Sequence, residues 1–549
     1  MRKFYAYIIF LLLTSFALPA QNHTMGVIQA TSGMADGYSL FAPTNTKETY
    51  LIDNCGRLVN AWTSSTYFPG SAVYLLEDGS LLRTGRILNN NFVMGGLGGR
   101  LEQYTWEDSL TWSWNYSSST HTLHHDVEPL PNGNLLVLGV ETKNALDMNF
   151  AGRNPALMND NLMWSEFIFE IQPIGSDSAA VVWEWHAWDH LVQDFDSTKS
   201  NYGIVADHPE LIDINYYSIP ATKDWLHANS VDYDVARDQV MITLAHVDEF
   251  WILDHSTSTV EAATHTGGNR GKGGDLLYRW GNPRAYERGD SADQKLFFMH
   301  DAHWIPPGRP DSGKVLIFNN GQGRRYSTVE IMELPESSLG EYALSQGQAY
   351  GPVASEWIYA SDSLLDFFSK IMSGAQQQAN GNILMCNGAY GYALEVNKSF
   401  DTLWHYVNPM TSSGATNQGD TGPVGANATF RIERYSPSFV GFVGKDLTPG
   451  DPLEGMFDIA NCLSVLTGAN EELKSLPIAI YPNPSSKIVN IFSKNAAPQT
   501  VKIWNAFGQL VFEGALHGKL QIDVQTWIGG VYFMKINNES TRKIIVIQH

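Results

Sequence analysis

Cysteine is scarce in this sequence: its 549 residues contain only Cys55, Cys386 and Cys462. Three widely spaced cysteines exclude a disulfide framework, and no CxxC pair or Cys/His cluster indicates a structural zinc site. One bridge is compatible with this count outside the cell, but buried free thiols are the expected state. We therefore expect a hydrophobic core to hold the fold together.

Positive charge is scarce as well. Lysine and arginine number 35 against 57 aspartates and glutamates, which gives a formal net charge of -22. Repulsion argues against nucleic acid and anionic membrane surfaces as partners, although a few arginines can still focus positive potential inside a cleft. Charged residues make up only 17% and hydrophobic residues 43% of the chain, which argues against disorder.

Long hydrophobic runs are missing beyond the first residues. Arg2 and Lys3 precede an apolar stretch over residues 4–16, and small residues follow as far as Ala20. This order predicts a secretory signal peptide over residues 1–20. The stretch is short for a membrane span, and no later segment reaches the roughly 18 apolar residues that a spanning helix needs. We expect an exported protein without a membrane span.

The last part of the chain has a different pattern from the rest. A linker rich in proline and glycine opens the segment 446–475, and short segments with apolar alternation follow it over residues 476–549. Alternation of this kind is typical of half-buried strands. We predict a small β-sandwich with strands at 488–492, 501–504, 510–512, 520–524, 531–536 and 543–547.

Three motifs in residues 476–549 resemble a known family. They are Tyr481-Pro-Asn-Pro484, the turn Asn505-Ala-Phe-Gly-Gln509 and Gly529-Gly-Val-Tyr-Phe533. The segment looks like the type A sorting domain of the type IX secretion system. The resemblance implies that the secretion machinery is a partner, that the protein is secreted or displayed at the cell surface, and that the domain is commonly removed. The alternative is an immunoglobulin-like adhesive module.

A degenerate repeat occupies residues 36–445, within a predicted domain over residues 25–445. Leu75–Leu82, Leu130–Val137 and Ala379–Met385 each contain a turn with glycine that leads into an apolar strand, and a variant ends at Ile317. Strands that carry tryptophan accompany this phrase. Recurring four-stranded units of this kind predict a β-propeller. A large β-sandwich does not explain the repeated phrase.

Six blades is the count that the repeats support. Gly79, Gly133, Gly313 and Gly381 mark four of them, and residues 232–253 mark a fifth. Residues 429–432 are expected to pair with residues 37–50 and close the ring as the sixth blade, while an insertion at about 186–223 interrupts the count. The predicted fold class is therefore all-β, a six-bladed β-propeller followed by the small β-sandwich.

The candidate catalytic residues are His125, His227, His303 and Arg324, which stand before or after the repeated phrase. Neutral imidazole is a nucleophile and a general base near neutral pH, and arginine presents a planar fork that suits a tetrahedral oxyanion. Transfer of a charged oxyanion group needs mainly positioning and charge stabilisation. We therefore expect no metal and no cofactor.

Plainer roles stay open for these residues. The histidines can satisfy backbone groups at blade junctions, and Arg324 can be a solvated loop charge. Metal binding by His300 and His303 is disfavoured because residues three apart on a strand face different sides.

The same segments resemble the bacterial arylsulfotransferase family. The resemblance depends on His124-His-Asp-Val-Glu-Pro-Leu-Pro-Asn-Gly133, Asp224-Trp-Leu-His-Ala-Asn-Ser-Val-Asp-Tyr233, His300-Asp-Ala-His-Trp304 and Arg324. It implies a six-bladed propeller that moves a sulfuryl group from an aryl sulfate donor to a phenolic acceptor through a sulfo-histidine, without phosphoadenosine phosphosulfate. Carried over by position, His227, His303 and Arg324 line the sulfuryl site, and His125 is a further channel residue.

One departure from the family pattern bears on the mechanism. In better-understood members a histidine in the last part of the propeller becomes sulfated, whereas residues 372–377 here contain none. His405 is nearby but belongs to an outer aromatic strand. Either His227 or His303 is the nucleophile, or the transfer chemistry is lost or changed. The open alternatives are hydrolysis and the binding of sulfated or anionic ligands without turnover.

Overall fold

The computed structural model divides the chain into two compact units, Met1–Asp458 and Ile459–His549. This boundary falls inside the predicted linker 446–475, while the predicted signal peptide lies outside the described residues. The structure describes residues 23–158, 161–217, 222–363, 366–420, 425–457, 459–466, 478–481, 485, 487–493, 499–506, 508–537 and 542–546. In that part of the chain no helix is long and apolar enough to cross a membrane.

The first unit is built mainly from six antiparallel sheets, which follow one another along the chain. Each has four strands, apart from sheet 6, which has five. In the order of their hydrogen bonding, the strands are Glu433–Tyr435, Tyr38–Phe41, Glu48–Asp53 and Leu58–Thr63 in sheet 1; Pro69–Leu75, Leu81–Arg86, Gly99–Tyr104 and Leu110–Asn115 in sheet 2; His121–Pro129, Leu135–Asn144, Leu162–Ile174 and Ser178–His186 in sheet 3; Ala228–Asp234, Gln239–Leu244, Glu249–Asp254 and Tyr278–Trp280 in sheet 4; His300–Trp304, Val315–Asn319, Thr328–Met332 and Trp357–Tyr359 in sheet 5; and Ser373–Gln377, Ile383–Asn387, Tyr392–Val396, Thr402–Val407 and Gly26–Ala30 in sheet 6.

The first-named strand of each sheet is called its leading strand. The leading strands of sheets 2 to 6 pack against one another in succession. Sheet 1 takes its leading strand from the end of the unit, and sheet 6 takes its fifth strand from the beginning. The predicted pairing of residues 429–432 with residues 37–50 is confirmed at Thr429, which bridges Pro43, although the paired strand proper begins at Glu433.

The glycine turns of the repeated phrase are confirmed. Gly79, Gly133, Gly313 and Gly381 all have φ between +81° and +88° and precede the second strands of their sheets. Glycine adopts this left-handed conformation without steric cost. In sheet 4 the equivalent turn uses Asp238 at φ +52°, which explains why no glycine marks the fifth unit.

A tryptophan on the fourth strand of every sheet ties that sheet to its successor. Its indole N–H donates a hydrogen bond to a backbone carbonyl at the turn before the fourth strand of the next sheet. A buried indole N–H needs such a partner. The last of these bonds runs from sheet 6 back to sheet 1. The pairs, in chain order, are Trp62 with Thr105, Trp112 with Ser178, Trp185 with Gly274, Trp280 with Pro352, Trp357 with Lys398 and Trp404 with Asn54.

The insertion at 186–223 packs beside sheets 3 and 4. Two of its segments, Leu191–Val192 and Ile212–Asp213, form a short parallel pair whose apolar residues join the core of those sheets. Other elements in the described part of this unit are the helices Ala145–Phe150 and Thr259–Ala262, single 3₁₀ turns at Pro155–Leu157, Ala187–Asp189, Val205–Asp207, Pro283–Tyr286, Gly388–Tyr390 and Val440–Phe442, and two-stranded pairs at Glu336–Ser338 with Glu341–Tyr342 and Met410–Thr411 with Gly414–Ala415.

The second unit contains a helix, Ala460–Leu466, and two antiparallel sheets. The predicted strand positions are confirmed within a few residues. Buried side chains from both sheets form one core, with Ile491 on one sheet and Ile503 and Met534 on the other. The strands are Ile478–Tyr481, Ile488–Ser493 and Lys519–Asp523 in one sheet, and Leu510–Leu516, Gln499–Asn505, Gly530–Ile536 and Arg542–Val546 in the other.

The expectation of free thiols is confirmed for one cysteine and wrong for two. Cys386 is a buried free thiol on the second strand of sheet 6. Cys55 and Cys462 are disulfide-bonded.

Candidate active site

Buried imidazoles gather where the leading strands of sheets 3, 4 and 5 begin. His125 lies in the leading strand of sheet 3, His227 directly precedes that of sheet 4, and His300 is the first residue of that of sheet 5. The rings of His125 and His227 are 4.9 Å apart, and His227 stacks on His246 at 4.6 Å. We call His125, His227, His246 and His300 the histidine cluster.

Two members of the cluster have strained backbone. His125 has φ +51° and His227 has φ +53°, a left-handed conformation that is uncommon for residues other than glycine. Strain of this kind persists only where the surroundings enforce it, and it concentrates at functional sites. At His125 the backbone N–H is held by a 2.7 Å hydrogen bond to the carbonyl of Gly96.

His227 forms a dyad with Asp224. Its Nδ1 lies 2.7 Å from Oδ2 of Asp224, so the carboxylate holds the Nδ1 proton and the neutral ring presents a lone pair at Nε2. Burial by itself lowers the pKa of His227, but the charge of Asp224 and its hydrogen bond more than offset this and leave the pKa raised. The dyad therefore keeps a proton more readily than an ordinary histidine.

His125 has the opposite tendency. Burial lowers its pKa well below the usual value, and the positive charges of His227, His124 and His300 lower it further. Its Nδ1 lies 2.9 Å from Nδ1 of His124, and Nε2 of His124 lies 2.8 Å from Glu166. Burial favours the neutral form of His125, and a neutral ring that donates from Nδ1 to His124 presents its lone pair at Nε2.

The other two members of the cluster are neutral as well. Burial and the nearby His227 lower the pKa of His246 to about 4. Burial lowers the pKa of His300 to about 3, and its Nδ1 lies 2.8 Å from Oδ1 of Asn320. His227 is therefore the cluster's proton-holding member, surrounded by neutral imidazoles.

The structure brings His125 and His227 together but places His303 elsewhere. His303 lines a second cavity with Asp232 and Glu433. His300 is not among the predicted catalytic residues, although the dipeptide His-Asp that recurs at His125 and His300 pairs these two and aligns His303 with Glu128. A β-bulge between His300 and His303 sets their positions on the strand.

Arg324 lies beyond the end of the second strand of sheet 5. Its guanidinium stacks on the rings of Phe297 and Tyr326 and donates a 2.6 Å hydrogen bond to Thr328. Burial lowers its pKa. Phe297 precedes Phe298, which packs against His227 at 6.1 Å. The Arg324 guanidinium therefore contacts a segment that borders the cluster.

A cavity of about 460 Å³ opens beside the cluster; we call it the histidine cavity. The segment Leu88–Leu97, called the cavity loop, forms much of its wall, together with His125, Arg86, Met372 and Phe430. The loop joins the second and third strands of sheet 2 and is anchored by Phe92, which is fully buried against Trp164 at 5.2 Å.

The wall of this cavity combines apolar surface with one cation. On the cavity loop, Leu88 is 85% and Val93 is 76% exposed. Arg86 reaches the same cavity, and its guanidinium is held by the carbonyls of Thr44 and Pro69. Apolar surface suits an aromatic ring, and a fixed guanidinium suits an anionic group.

The second cavity, of about 230 Å³, is lined by Glu128, Asp232, Asp301, Glu433 and His303; we call it the acidic cavity. Burial raises the pKa of Glu433 to about 8 and that of Asp232 to about 6. Arg431 lines this cavity too. Its guanidinium lies 2.8 Å from Asp126 and 3.1 Å from Asp301, and these two carboxylates stabilise the buried positive charge of Arg431.

The segment 372–377, which lacks the expected histidine, is the leading strand of sheet 6. Met372 directly precedes this strand, has φ +52° like His125 and His227, and lines the histidine cavity. Ser373 is fully buried and contacts Asn320. His405 lies in the fourth strand of sheet 6, as expected.

Comparisons with known proteins identify two families in this chain. The sequence model described as arylsulfotransferase (ASST) matches residues 24–420, and one described as secretion system C-terminal sorting domain matches residues 479–548. Proteins named arylsulfate sulfotransferase AssT are 24% identical over 185 residues in Lelliottia amnigena and 25% identical over 180 residues in Escherichia coli. Those matches cover 33% and 32% of this chain but only 29% of each relative's length.

A solved structure of a protein of unknown function from Bacteroides caccae covers 73% of this chain and all of its own, at 10% identity and a TM-score of 0.39. A TM-score this low is no basis for transferring fold or function. The arylsulfotransferase match, in contrast, spans most of the first unit with its leading strands and its histidines. The chain belongs to the arylsulfotransferase family and carries a C-terminal secretion sorting domain.

Proposed function

We propose that this protein transfers a sulfuryl group from an aryl sulfate to a phenolic acceptor at the histidine cavity, through a sulfo-histidine. The observation that carries the proposal is the pair His125 and His227, whose rings are 4.9 Å apart and whose pKa values are shifted in opposite directions. A neutral nucleophile beside a proton-holding imidazole is what double displacement at sulfur needs.

The fold supports this location. We infer that the six sheets are the blades of one closed propeller, since a tryptophan links each sheet to the next and the last to the first. The packing of successive leading strands then lies around the axis. Residues 476–549 are assigned as the following β-sandwich, and residues 25–445 as the propeller domain.

The first half-reaction begins at His125. Its Nε2 lone pair attacks the sulfur atom, an N–S bond forms, and the bond from sulfur to the aryl oxygen breaks. The departing phenolate takes a proton from His227. In the second half-reaction a phenol returns its proton to the His227–Asp224 dyad and attacks sulfur, and the sulfuryl group leaves His125.

Charge on the sulfuryl oxygens is stabilised by cations around the cavity. Protonated His227 lies beside the nucleophile, Arg86 lines the cavity, and Arg324 borders the cluster. Interactions with developing negative charge in a site with little water are typically worth 10²- to 10³-fold in rate for each donor. The family resemblance placed His303 in this role, whereas its position in the acidic cavity favours His300 instead.

The cavity loop is the proposed aryl site. Leu88, Val93 and Met94 present apolar side chains beside His125. This surface fits the ring of a phenol or an aryl sulfate and offers little to a purely polar donor. Export completes the proposal: a signal peptide over residues 1–20 and type IX secretion through residues 476–549 deliver the enzyme to the cell surface or the medium.

The test uses the purified chain with a chromogenic aryl sulfate, with and without a second phenol. We expect phenol release to rise strongly with acceptor, sulfated acceptor to appear, and mass spectrometry of a quenched sample to find the sulfuryl group on His125. His405→Ala, on the fourth strand of sheet 6, serves as the matched control and should retain full activity.

Other results would change the assignment. Release that ignores the acceptor indicates hydrolysis, and a sulfuryl group on His227 moves the nucleophile to that residue. A second function, binding of sulfated or anionic ligands without turnover, is favoured by the segment 372–377, which contains no histidine where the resemblance predicts one. No release across a donor panel, together with saturable binding of an aryl sulfate, would establish that alternative.

A further inference from the structure

Two histidines and an aspartate meet outside the proposed active site. His190 belongs to the insertion 186–223, whereas His265 and Asp275 lie between the third and fourth strands of sheet 4. One potential ligand atom from each residue lies within 4.8 Å of the others. The fold therefore joins two segments more than seventy residues apart through three side chains that bind transition metals.

The ring of His190 is held in a fixed orientation. It is fully buried, stacks on Trp185 with an interplanar angle of 3°, and its Nε2 lies 2.8 Å from the carbonyl of Ala262. A carbonyl only accepts, so Nε2 carries the proton. Metal-binding histidines typically donate their second N–H in this way, which fixes the tautomer and aims the other nitrogen.

The other nitrogen of His190, Nδ1, faces a carboxylate. In the neutral ring this nitrogen carries no proton that it could donate. Nδ1 lies 2.8 Å from Oδ1 of Asp275, and Nδ1 of His265 lies 2.7 Å from the same oxygen. Two acceptors at this distance repel unless a cation, either a proton or a metal ion, lies between them. The carboxylate of Asp275 is buried, so the balance of charge matters strongly here.

The backbone around the cluster is built closely against it. A Cβ atom at Gly274 would lie 2.6 Å from Nε2 of His190 and would also collide with the carbonyl of Ala262. Only glycine fits at this place. The carbonyl of Gly274 also accepts the indole N–H of Trp185, the ring on which His190 stacks.

One side of the cluster is open. The side chain of His265 is 60% exposed, and it lines a cavity of about 670 Å³ together with Trp188 and His208. A three-residue site with an open side leaves room for a water molecule as fourth ligand, which is a common arrangement for zinc.

We propose that His190 Nδ1, His265 Nδ1 and one oxygen of Asp275 bind a divalent transition-metal ion, Zn²⁺ in the first place. The ion joins the insertion to sheet 4. This site is separate from the histidine cavity and takes no part in sulfuryl transfer, so the inference does not depend on the proposed function.

The test measures metal binding by the full chain without a polyhistidine tag. After chelator treatment and dialysis, we expect about one equivalent of Zn²⁺ per chain in calorimetric titration, a rise in unfolding temperature with Zn²⁺, and d–d absorption of tetrahedral character with Co²⁺. His265→Ala changes a largely exposed residue and should weaken Zn²⁺ binding at least tenfold, as should Asp275→Asn.

His208→Ala is the matched control, since His208 lines the same cavity but pairs with Glu210, and it should bind like the unmodified chain. The proposal is overturned if the unmodified chain binds no stoichiometric Zn²⁺. It is equally overturned if His265→Ala and Asp275→Asn retain full binding, as they would were the ion held by Asp224, His227 and His246 instead. In either case His190 and Asp275 form a proton-mediated ion pair only.

Discussion

The histidine cavity and the acidic cavity are built from the same leading strands but have opposite chemistry. On sheet 3, His125 borders the histidine cavity and Glu128 borders the acidic cavity. On sheet 6, Met372 at the start of the leading strand borders the histidine cavity, and Gln376 further along borders the acidic cavity. Burial favours the uncharged form in both places. In the histidine cluster it lowers the pKa of imidazoles, and in the acidic cavity it raises the pKa of carboxyl groups.

Position along one strand therefore decides the surroundings of a side chain more than residue type does. His303 carries the same imidazole as His300, yet it lines a cavity with carboxyl groups, whereas His300 packs against Phe298 and Phe430. Arg431 marks the change from one environment to the other. It follows Phe430 of the histidine cavity and pairs with Asp126 and Asp301.

The largest expected difference between the cavities is in catalysis. His125→Ala should lower the rate of sulfuryl transfer by about 10³-fold or more, because it removes the proposed nucleophile. Glu128→Gln, on the same strand, should change the rate by less than about threefold if the acidic cavity takes no part. Initial rates with a chromogenic aryl sulfate measure both, and equal losses in the two variants would erase the distinction.

Replacing Arg431, which lies between the two cavities, should lower the free energy of unfolding. Arg431→Met leaves Asp126 and Asp301 buried without their partner, and breaking a buried pair in this way typically costs about 3–5 kcal/mol. We expect the free energy of unfolding in urea to fall by that order. Arg309→Met is the comparison, since Arg309 also faces Glu433 without these paired carboxylates. A loss no larger than that of Arg309→Met would contradict the role given to Arg431.

The histidine cluster and the acidic cavity should make the stability of the protein depend on pH in opposite directions. Glu433 titrates at about 8 in the native state against 4.5 as its ordinary value, so the folded protein holds the extra proton and loses stability as pH rises from about 4.5 to 8. His246 and His300 titrate near 4 and 3 against 6.5, so the folded protein loses stability as pH falls below about 6.5.

Glu433→Gln should therefore remove the decline in unfolding free energy towards pH 8 and leave the decline at low pH unchanged. Urea unfolding at several pH values between 5 and 8 measures both slopes. An unchanged alkaline slope in this variant would show that Glu433 does not carry that proton.

The smallest expected effect concerns the cavity loop. Val93→Ser should raise KM for a phenolic acceptor about three- to tenfold with little change in kcat, because lost apolar contact costs about 1 kcal/mol. Val353→Ser, also highly exposed but lining a different cavity, is the control. A fall in kcat without a change in KM would argue against a role of Val93 in acceptor binding.

Much of the fold was predictable because its signals are local. A turn that needs φ near +80° demands glycine, so Gly79, Gly133, Gly313 and Gly381 revealed the repeat. The strands of the second unit followed from apolar alternation. His125 and His227 followed from their place before the repeated phrase. The disulfide state of Cys55 and Cys462 had no local signal.

The sequence by itself determined the strand-rich architecture, its two parts and the presence of histidines at the starts of strands, because backbone conformation and side-chain alternation are set by near neighbours. Only the tertiary structure decided which imidazoles meet. A bulge in one strand separates His303 from His300, and the fold brings the rings of His125 and His227 to within 4.9 Å of each other. Distances of this kind depend on contacts between sheets, which no local pattern encodes.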